Sequence, residues 1–438
     1  MAKDKVNIFW HRRDLRVHDN HGLYEALTKS KKILPVFIFD KNILNKLEDK
    51  NDRRVTFIHN HVERVKAQYE KAGGTLRLFH DTPEDAFNKL LNEFDVEVVY
   101  TNRDYEPCGT QRDKSIKKLL QQKGVELKTF KDQVIFEKDE VVKGDGNPYT
   151  VFTPYSKRWK AVFDNAMVES FRSEPNLNQL YKPDAPARSI SLEKMGFEKN
   201  DMYLEDFVIN QEQLEKYGDR RDVPSIKGTT RVSHHLRFGT VSVREMVRRG
   251  VKYSEKWLNE LIWREFYMMI LHHNPQVVKE SFRPEYDRIE WRNNEDEFKR
   301  WCMGKTGYPI VDAGMRELNE TGFMHNRVRM ITASFLTKHL LIHWSWGEAY
   351  FARKLLDFEL SSNNGGWQWA AGSGCDAAPY FRVFNPELQM KRFDPDLKYV
   401  KKWVPEYDTL EYAQSVIISH KEARKRALDT YKKTLKPD

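Results

Sequence analysis

Tryptophan is unevenly distributed along the chain. Nine of the eleven tryptophans lie after residue 250. They are Trp257, Trp263, Trp291, Trp301, Trp344, Trp346, Trp367, Trp369 and Trp403. Core packing explains any one of them, but indoles also stack on bases and flavins, and they can carry electrons as transient radicals. Their concentration predicts a site for an aromatic ligand in this half of the chain.

The segment from Asn363 to Trp369 combines groups that suit the binding of a flat heterocycle. Its sequence is NNGGWQW. The two glycines permit close approach of the backbone to a ligand, the asparagine amides offer donors and acceptors, and the two indoles supply flat surfaces. This density of polar and aromatic groups favours a binding site over a structural turn.

The segment Trp257–Arg264 places a carboxylate beside indoles. On a helix, Glu260 and Trp263 occupy neighbouring positions. A carboxylate there would be poorly solvated, which is typical of functional sites, and an amphipathic helix with a surface ion pair is the alternative. The segment Gly228–Ser233, GTTRVS, offers hydroxyls, an arginine and backbone amides that suit a phosphate. An ordinary Ser/Thr turn is its alternative.

The elements that must position these groups change character along the chain. Residues 1–135 alternate short apolar strands with amphipathic helices, which predicts a parallel sheet with helical crossovers. The predicted strands are Lys5–Trp10, Ile33–Phe39, Thr75–Phe79, Val96–Tyr100 and Val125–Phe130. The first strand is not followed by GxGxxG, and Gly304-Lys305-Thr306 lacks the first glycine of a phosphate loop, so neither nucleotide motif is present.

The rest of the chain divides into two further parts. Residues 136–210 contain a polar, irregular, proline-containing stretch and are predicted to be an interdomain linker. Residues 211–438 show helical periodicity, as in Glu260–His272 and Val311–Glu320, and end in a basic helix at Ser419–Lys436. We therefore expect an α/β domain, a linker and an all-α domain.

Composition narrows the class of partner. The net charge of +9 and the pI near 9.1 suit an anionic partner such as nucleic acid, or simply a basic cytosolic protein. The three cysteines lie far apart, so we expect neither a disulfide scaffold nor a metal site. No apolar run is long enough to span a membrane and the start lacks a signal-peptide pattern, so we expect a cytoplasmic protein.

In these motifs, the sequence resembles the photolyase/cryptochrome family, and most closely its class I cyclobutane pyrimidine dimer photolyases. The resemblance extends over almost the whole chain, and its long motifs occur in family order. They are Trp10–Arg16, Tyr217 with Thr229–Ser233, Trp257–Arg264, Gly307–Arg316, Met324–Met330, Asp357–Trp369 and Arg382–Pro386.

The resemblance implies a doubly wound α/β domain joined by a long linker to an all-α domain that binds FAD. It implies that Asn363 sits beside flavin N5 and that Asp357 pairs with Arg329 next to the ring. The implied FAD-binding residues are Tyr217, Thr229, Thr230, Arg231, Val232, Ser233, Trp257, Glu260, Arg264, Arg329, Asp357, Glu359 and Asn363.

The resemblance also implies the reaction. Photoexcited reduced FAD would pass one electron to a pyrimidine dimer that is flipped out of DNA, and the electron would return after the dimer splits. Trp263 and Trp369 would hold the bases, Met330 would pack nearby, and Glu260 and Asn326 would hydrogen-bond the dimer. Four arginines would contact DNA phosphates: Arg221, Arg264, Arg327 and Arg382. Three tryptophans would relay electrons to oxidised flavin, in the order Trp367, Trp344, Trp291.

Two departures and two rival functions follow from the resemblance. The usual Asp-Gly-Asp-Leu is Asp357–Leu360, DFEL, here, which puts the contact of Glu359 to the flavin in doubt. Glu106–Gly109, EPCG, lacks the Asn-Glu pair of one folate antenna mode, so deazaflavin, a second flavin, another folate mode or no antenna remain. The rivals are a cryptochrome, which often replaces the dimer-binding residues, and a (6-4) photolyase, which typically has His-His where this chain has His325-Asn326. We expect a monomer.

Overall fold

The computed structural model describes residues 3–201 and 207–435, and its first part is a five-stranded parallel sheet. The strand order is β3-β2-β1-β4-β5, so the chain runs outward from the central strand first to one side and then to the other. This confirms the predicted doubly wound α/β domain. The strands are β1 Lys5–His11, β2 Ile33–Asp40, β3 Arg77–Asp81, β4 Asp95–Asn102 and β5 Glu126–Phe130.

Five helices connect these strands. They are α1 His21–Lys29, α2 Lys41–Leu44, α3 Arg53–Lys71, α4 Pro83–Glu93 and α5 Pro107–Gln122. Their starts follow local rules: the Asn20 side chain accepts from the Leu23 backbone N–H, and Thr82 caps α4 with Pro83 in the first turn. Strand β2 is buried along nearly its whole length and is almost continuously apolar, as buried parallel strands are.

Fifteen helices follow, and the described residues after Phe130 contain no further β-strand. They are α6 Phe152–Val162, α7 Gln211–Glu215, α8 Tyr217–Arg220, α9 Ser233–Phe238, α10 Val243–Tyr253, α11 Glu255–His273, α12 Glu295–Cys302, α13 Pro309–Thr321, α14 Asn326–Ser334, α15 Trp344–Lys354, α16 Leu360–Ala371, α17 Pro386–Phe393, α18 Lys398–Trp403, α19 Leu410–Ala413 and α20 His420–Leu435. Short 3-10 turns and a π-helical turn at Phe335–His339 lie between them. The helical second half is thereby confirmed.

The chain forms two compact units. The sheet unit contains Met1–Glu137, Phe163–Phe207 and Val232–Arg249, and the helical unit contains Lys138–Val162, Val208–Arg231 and Gly250–Asp438. Helix α6 lies inside the segment that the sequence indicated as linker, and residues 202–206 of that segment lie outside the described residues. Helix α6 forms because Tyr155 and Trp159, one turn apart, are both buried, and the Trp159 indole donates to Glu265 at 2.7 Å.

The core of the helical unit is built from the helices that carry the candidate site. Large side chains of α12 to α16 pack into one buried cluster, which includes Trp301, Phe335, Trp344 and Trp367. Helix α16 packs against both α11 and α15. In the described part of the chain, no helix is long and apolar enough to cross a membrane.

Candidate active site

Helix α11 carries the predicted carboxylate and indoles. Its first turn is capped by Ser254, and the Trp257 indole, which is buried, donates to the hydroxyl of Thr230 at 3.3 Å. Two residues that the resemblance implied for FAD are thus in contact. Tyr217 is also buried, and the Arg221 guanidinium lies 5.3 Å from its ring centroid.

Residue Glu260 is the start of a connected group of charged side chains. Arg221 donates to Glu260 at 2.5 Å, Arg221 lies 3.9 Å from Asp222, and Arg327 pairs with Asp222 at 2.8 Å. Arg327 also lies 3.8 Å from the sulfur of Met330. These five residues, from α11, α14 and the end of α8, are called the α11 cluster below.

The charge of Glu260 is poorly stabilised within the cluster. Burial raises the pKa of Glu260, and the neighbouring Arg221 offsets only part of that rise. The carboxyl group therefore holds a proton more readily than an ordinary glutamate, as expected where a carboxylate is desolvated. A perturbed carboxyl group among partly exposed arginines is typical of a functional site.

The replacement at Glu359 has a clear structural consequence. Arg264 donates to both carboxylate oxygens of Glu359, with each contact at 3.0 Å, and both side chains are nearly buried. This two-pronged pair ties α11 to the residue that precedes α16. Two residues that the resemblance implied for FAD binding are thus paired with one another. The Arg264 guanidinium is engaged by Glu359 and is not open to solvent.

A second arginine–carboxylate pair involves helix α14. The Nη2 atom of Arg329 donates to both oxygens of Asp357, at 3.1 and 2.9 Å, and this is the pair that the resemblance implied. Nearby, the Arg231 guanidinium lies 4.3 Å from the ring centroid of Phe323. Thr229 accepts a hydrogen bond from Gln213 at its carbonyl. Val232 and Ser233 belong to the sheet unit, where Ser233 begins α9.

The two indoles implied for dimer binding have different surroundings. The Trp263 ring stacks on Phe152 with centroids 3.7 Å apart and planes 4° apart. Trp369 lies 6.5 Å from Phe384. Asn326 is the first residue of α14, after the capping residue His325. Arg382 is exposed in the loop before α17.

Comparison with known proteins shows the family of this chain. Residues 257–435 match the family model for the FAD binding domain of DNA photolyase, and residues 7–175 match that for DNA photolyase. A deoxyribodipyrimidine photo-lyase of Alkalihalophilus pseudofirmus is 37% identical, with 92% of this chain and 88% of that protein covered. The chain belongs to the DNA photolyase family.

Solved photolyase structures agree with the fold over its whole length. A class III photolyase from Agrobacterium tumefaciens has a TM-score of 0.84 and 32% identity, and covers 100% of this chain and 98% of its own. An archaeal photolyase from Sulfolobus tokodaii with two FAD molecules has a TM-score of 0.82 and 32% identity, over 98% and 99% of the two chains. The chain is an enzyme of this family, with an FAD-binding domain.

The photolyase residues in the helical unit fit a flavin. The buried hydroxyl of Ser361, in the first turn of α16, has no hydrogen-bond partner among the described residues, and a polar ligand group would satisfy it. Asn363 lies in the same turn, shortly after Asp357, which pairs with Arg329. An amide, a guanidinium–carboxylate pair and a hydroxyl together suit the polar edge of an isoalloxazine ring.

Three residues that contact the predicted site residues escaped the sequence analysis. The Asn363 amide donates to the carbonyl and carboxylate oxygens of Glu348 on α15, at 3.1 and 2.8 Å, which fixes its orientation. Burial raises the pKa of Glu348. Phe152 and Asp222 are the other two, behind Trp263 and beside Arg327. Each of the three contacts a residue on a different element of the fold, so no spacing in the sequence indicates the contact.

Proposed function

We propose that the protein repairs cyclobutane pyrimidine dimers in DNA in a light-dependent reaction, by electron transfer from photoexcited reduced FAD to a flipped-out dimer. The observation that carries this proposal is the α11 cluster, in which Glu260, Met330 and two arginines implied for DNA binding are joined by direct contacts. The substrate and the class I type both belong to the proposal, since the solved relatives include a class III enzyme.

The protein's part in this reaction is to extract and hold the dimer. Flipping the lesion out of the helix costs a few kcal/mol, and less for a damaged pair than for an intact one. Trp263, supported from behind by Phe152, and Trp369 offer flat surfaces to the bases. Glu260 and Asn326 hydrogen-bond the dimer, and burial, which raises the pKa of Glu260, removes water that would compete for that hydrogen bond.

Partly exposed arginines position the damaged strand. The side chains of Arg221 and Arg327 are 24% and 22% exposed, so each keeps access to a phosphate. Arg382 is exposed, and Arg264 is the least accessible of the four because of its pairing with Glu359. Phosphate contacts fix the register of the strand without reading its sequence. A net charge of +9 supports DNA as the partner.

FAD in this site is proposed to be contacted by the residues implied above, with Asn363 oriented by Glu348 and with the Asp357–Arg329 pair beside the ring. When bound, the flavin supplies light absorption and one-electron transfer. Trp367, Trp344 and Trp291, called the tryptophan line below, are proposed to return oxidised flavin to its working state. A second, antenna chromophore is also proposed, and the Sulfolobus tokodaii relative with two FAD molecules supports a flavin in that role. We further propose a cytoplasmic monomer.

One experiment separates this function from its rivals. The chemically reduced protein is illuminated with two DNA duplexes, one with a thymine dimer and one with a (6-4) photoproduct, and the products are analysed by chromatography. The proposal predicts loss of the thymine dimer alone. Loss of the (6-4) lesion would instead support the alternative substrate, and loss of neither would support a cryptochrome-type receptor.

A further inference from the structure

Residue His343 lies between two members of the tryptophan line. Its ring centroid is 5.3 Å from that of Trp291 and 5.3 Å from that of Trp344, so the two indoles are at most twice that distance apart. The ring is held from two sides. Its Nδ1 accepts from the Ser345 backbone N–H at 3.2 Å and caps α15, and its own backbone N–H donates to Asn293 at 2.8 Å.

The imidazole is uncharged at neutral pH. Burial lowers the pKa of His343, and the field of Asp287 opposes that shift only in part. Asp287 is the charged group that faces His343 from the Pro284–Arg288 turn. The other neighbours that contact the ring or hold it, Trp291, Trp344, Asn293 and Ser345, carry no charge. Acidification below the usual imidazole range therefore adds a positive charge at this point.

The neighbouring indoles would feel that charge directly. The Nε1 atoms of Trp291 and Trp344 are buried and have no hydrogen-bond partner in the described part of the chain. An oxidised indole there has no protein base to take its proton, so it stays a cation. A cation beside a protonated His343, in a poorly solvated environment, is strongly disfavoured.

We propose that His343 gates electron transfer along the tryptophan line: its neutral ring permits the transfer, and its protonated ring blocks it. This rests on the proposed role of the line. One electron leaves Trp367 for the bound flavin, Trp344 supplies one to Trp367, and Trp291 supplies one to Trp344. A soluble thiol finally reduces Trp291, and no proton moves within the protein. The positive charge thus passes both indoles that contact His343.

The expected effect follows from the distances. At a separation of 5.3 Å and an effective dielectric constant of about 20, one added charge disfavours the cation by a factor on the order of a hundred. Because His343 lies at the same distance from both indoles, its positive charge disfavours the radical cation on Trp344 and on Trp291 alike. The radical cation then stays on Trp367, which packs against Trp301 and Phe351 with centroids 5.9 and 4.9 Å away, and recombines.

The test follows the tryptophan radical by transient absorption after a light flash, in the holoenzyme with oxidised flavin. The wild type is expected to lose roughly tenfold or more of the long-lived radical as the pH falls from about 8 through the titration of His343, which lies below the usual imidazole value. His343→Asn keeps the helix cap without a titratable ring. Its yield is expected to be independent of pH. A pH dependence that persists in His343→Asn belongs to another group, such as Glu348, and overturns the gate.

Two further measurements complete the test: a variant with a permanent positive charge at position 343, and a titration of the His343 ring in the dark. His343→Arg is expected to give a low radical yield at every pH, with normal flavin content and normal repair after chemical reduction. The pH at which the His343 ring titrates, measured by NMR with labelled histidine and assigned with His343→Asn, is expected to match the midpoint of the yield. A normal yield in His343→Arg would overturn the gate. Unchanged photoreduction in Trp291→Phe would instead overturn the line itself.

Discussion

The α11 cluster and the tryptophan line lie in the same helical unit but differ in their exposure to water. The charged side chains of the α11 cluster are 22–44% exposed, whereas Trp344 and Trp367 are 1% and 2% exposed and Trp291, the last member of the line, is partly buried. Groups that must contact a DNA strand need an open surface, and groups that only pass electrons do not. The comparison therefore separates the residues proposed for substrate binding from the residues proposed for electron supply.

The largest expected effect is in the tryptophan line. Trp367→Phe keeps an aromatic ring of similar shape but removes the easily oxidised indole. Photoreduction of oxidised flavin in the presence of a thiol is expected to fall by about a hundredfold or more, since a one-electron step of this kind loses tenfold for each 1.36 kcal/mol added to its barrier. The absorption spectrum of the flavin under illumination measures this.

The same variant tests whether electron supply to the flavin is separate from repair. Reduced chemically beforehand, Trp367→Phe is expected to repair nearly as well as the wild type. Trp403→Phe, another substitution in the core of the helical unit, serves as the control and should photoreduce normally. Lost repair after chemical reduction would show a packing role for Trp367, and normal photoreduction would refute its place in the line.

The next effect concerns Trp263, the indole proposed to hold the dimer. Base–aromatic stacking contributes roughly 1–3 kcal/mol per base, so Trp263→Ala is expected to weaken binding of dimer-containing DNA by on the order of tenfold or more. Fluorescence anisotropy in the dark measures it. Trp263→Phe keeps a stacking ring and should lose less, while photoreduction stays unchanged in both. Equal affinities of Trp263→Ala and the wild type would remove Trp263 from the dimer site.

Glu260→Ala is expected to act on the reaction more than on binding. A hydrogen bond to a charged partner contributes about 1.5–3 kcal/mol, and this one strengthens as charge develops on the dimer. We expect the repair yield per absorbed photon to fall about tenfold and dimer affinity to fall less. Glu255→Ala, at the exposed start of the same helix and paired with Lys160, is the matched control. Equal losses in yield and affinity would contradict the assigned role.

The smallest expected effect lies behind Trp263. Phe152→Leu removes a stacked ring, and such pairs contribute about 0.5–1.5 kcal/mol beyond their buried area, so dimer affinity should fall about threefold. Phe298→Leu, which removes a ring that packs near Trp301, is the control and should bind normally. The effect of Phe152→Leu should disappear in a Trp263→Ala background. If the threefold loss is unchanged in the Trp263→Ala background, Phe152 does not act by supporting Trp263.

Much of the fold could be predicted from the sequence because its signals are local. Strand β2 is a run of apolar residues, and Pro83 and Gly73 delimit helices. Helix α6 could not be predicted, because it depends on burying Tyr155 and Trp159 against the distant helix α11. Residues Lys138–Val162 belong to the helical unit for the same reason, because α6 packs against α11.

The site shows the same division. Glu260 and Trp263 share one helix, so helical spacing indicates their proximity. The bond from Asn363 to Glu348 and the position of His343 between two indoles depend on how separate helices pack, and neither leaves a pattern in the sequence. The pairing of Glu359 with Arg264 likewise needed the structure, because a longer carboxylate has several partners within reach.

The most direct test of the account measures the loss of thymine dimers from DNA and the recovery of intact thymines in the strand, with the chemically reduced protein, in blue light and in the dark. The account predicts two restored thymines for each dimer lost in the light, repeated turnover by one protein molecule, and no change in the dark. Dimers that persist in the light, or that disappear equally in the dark, would contradict it.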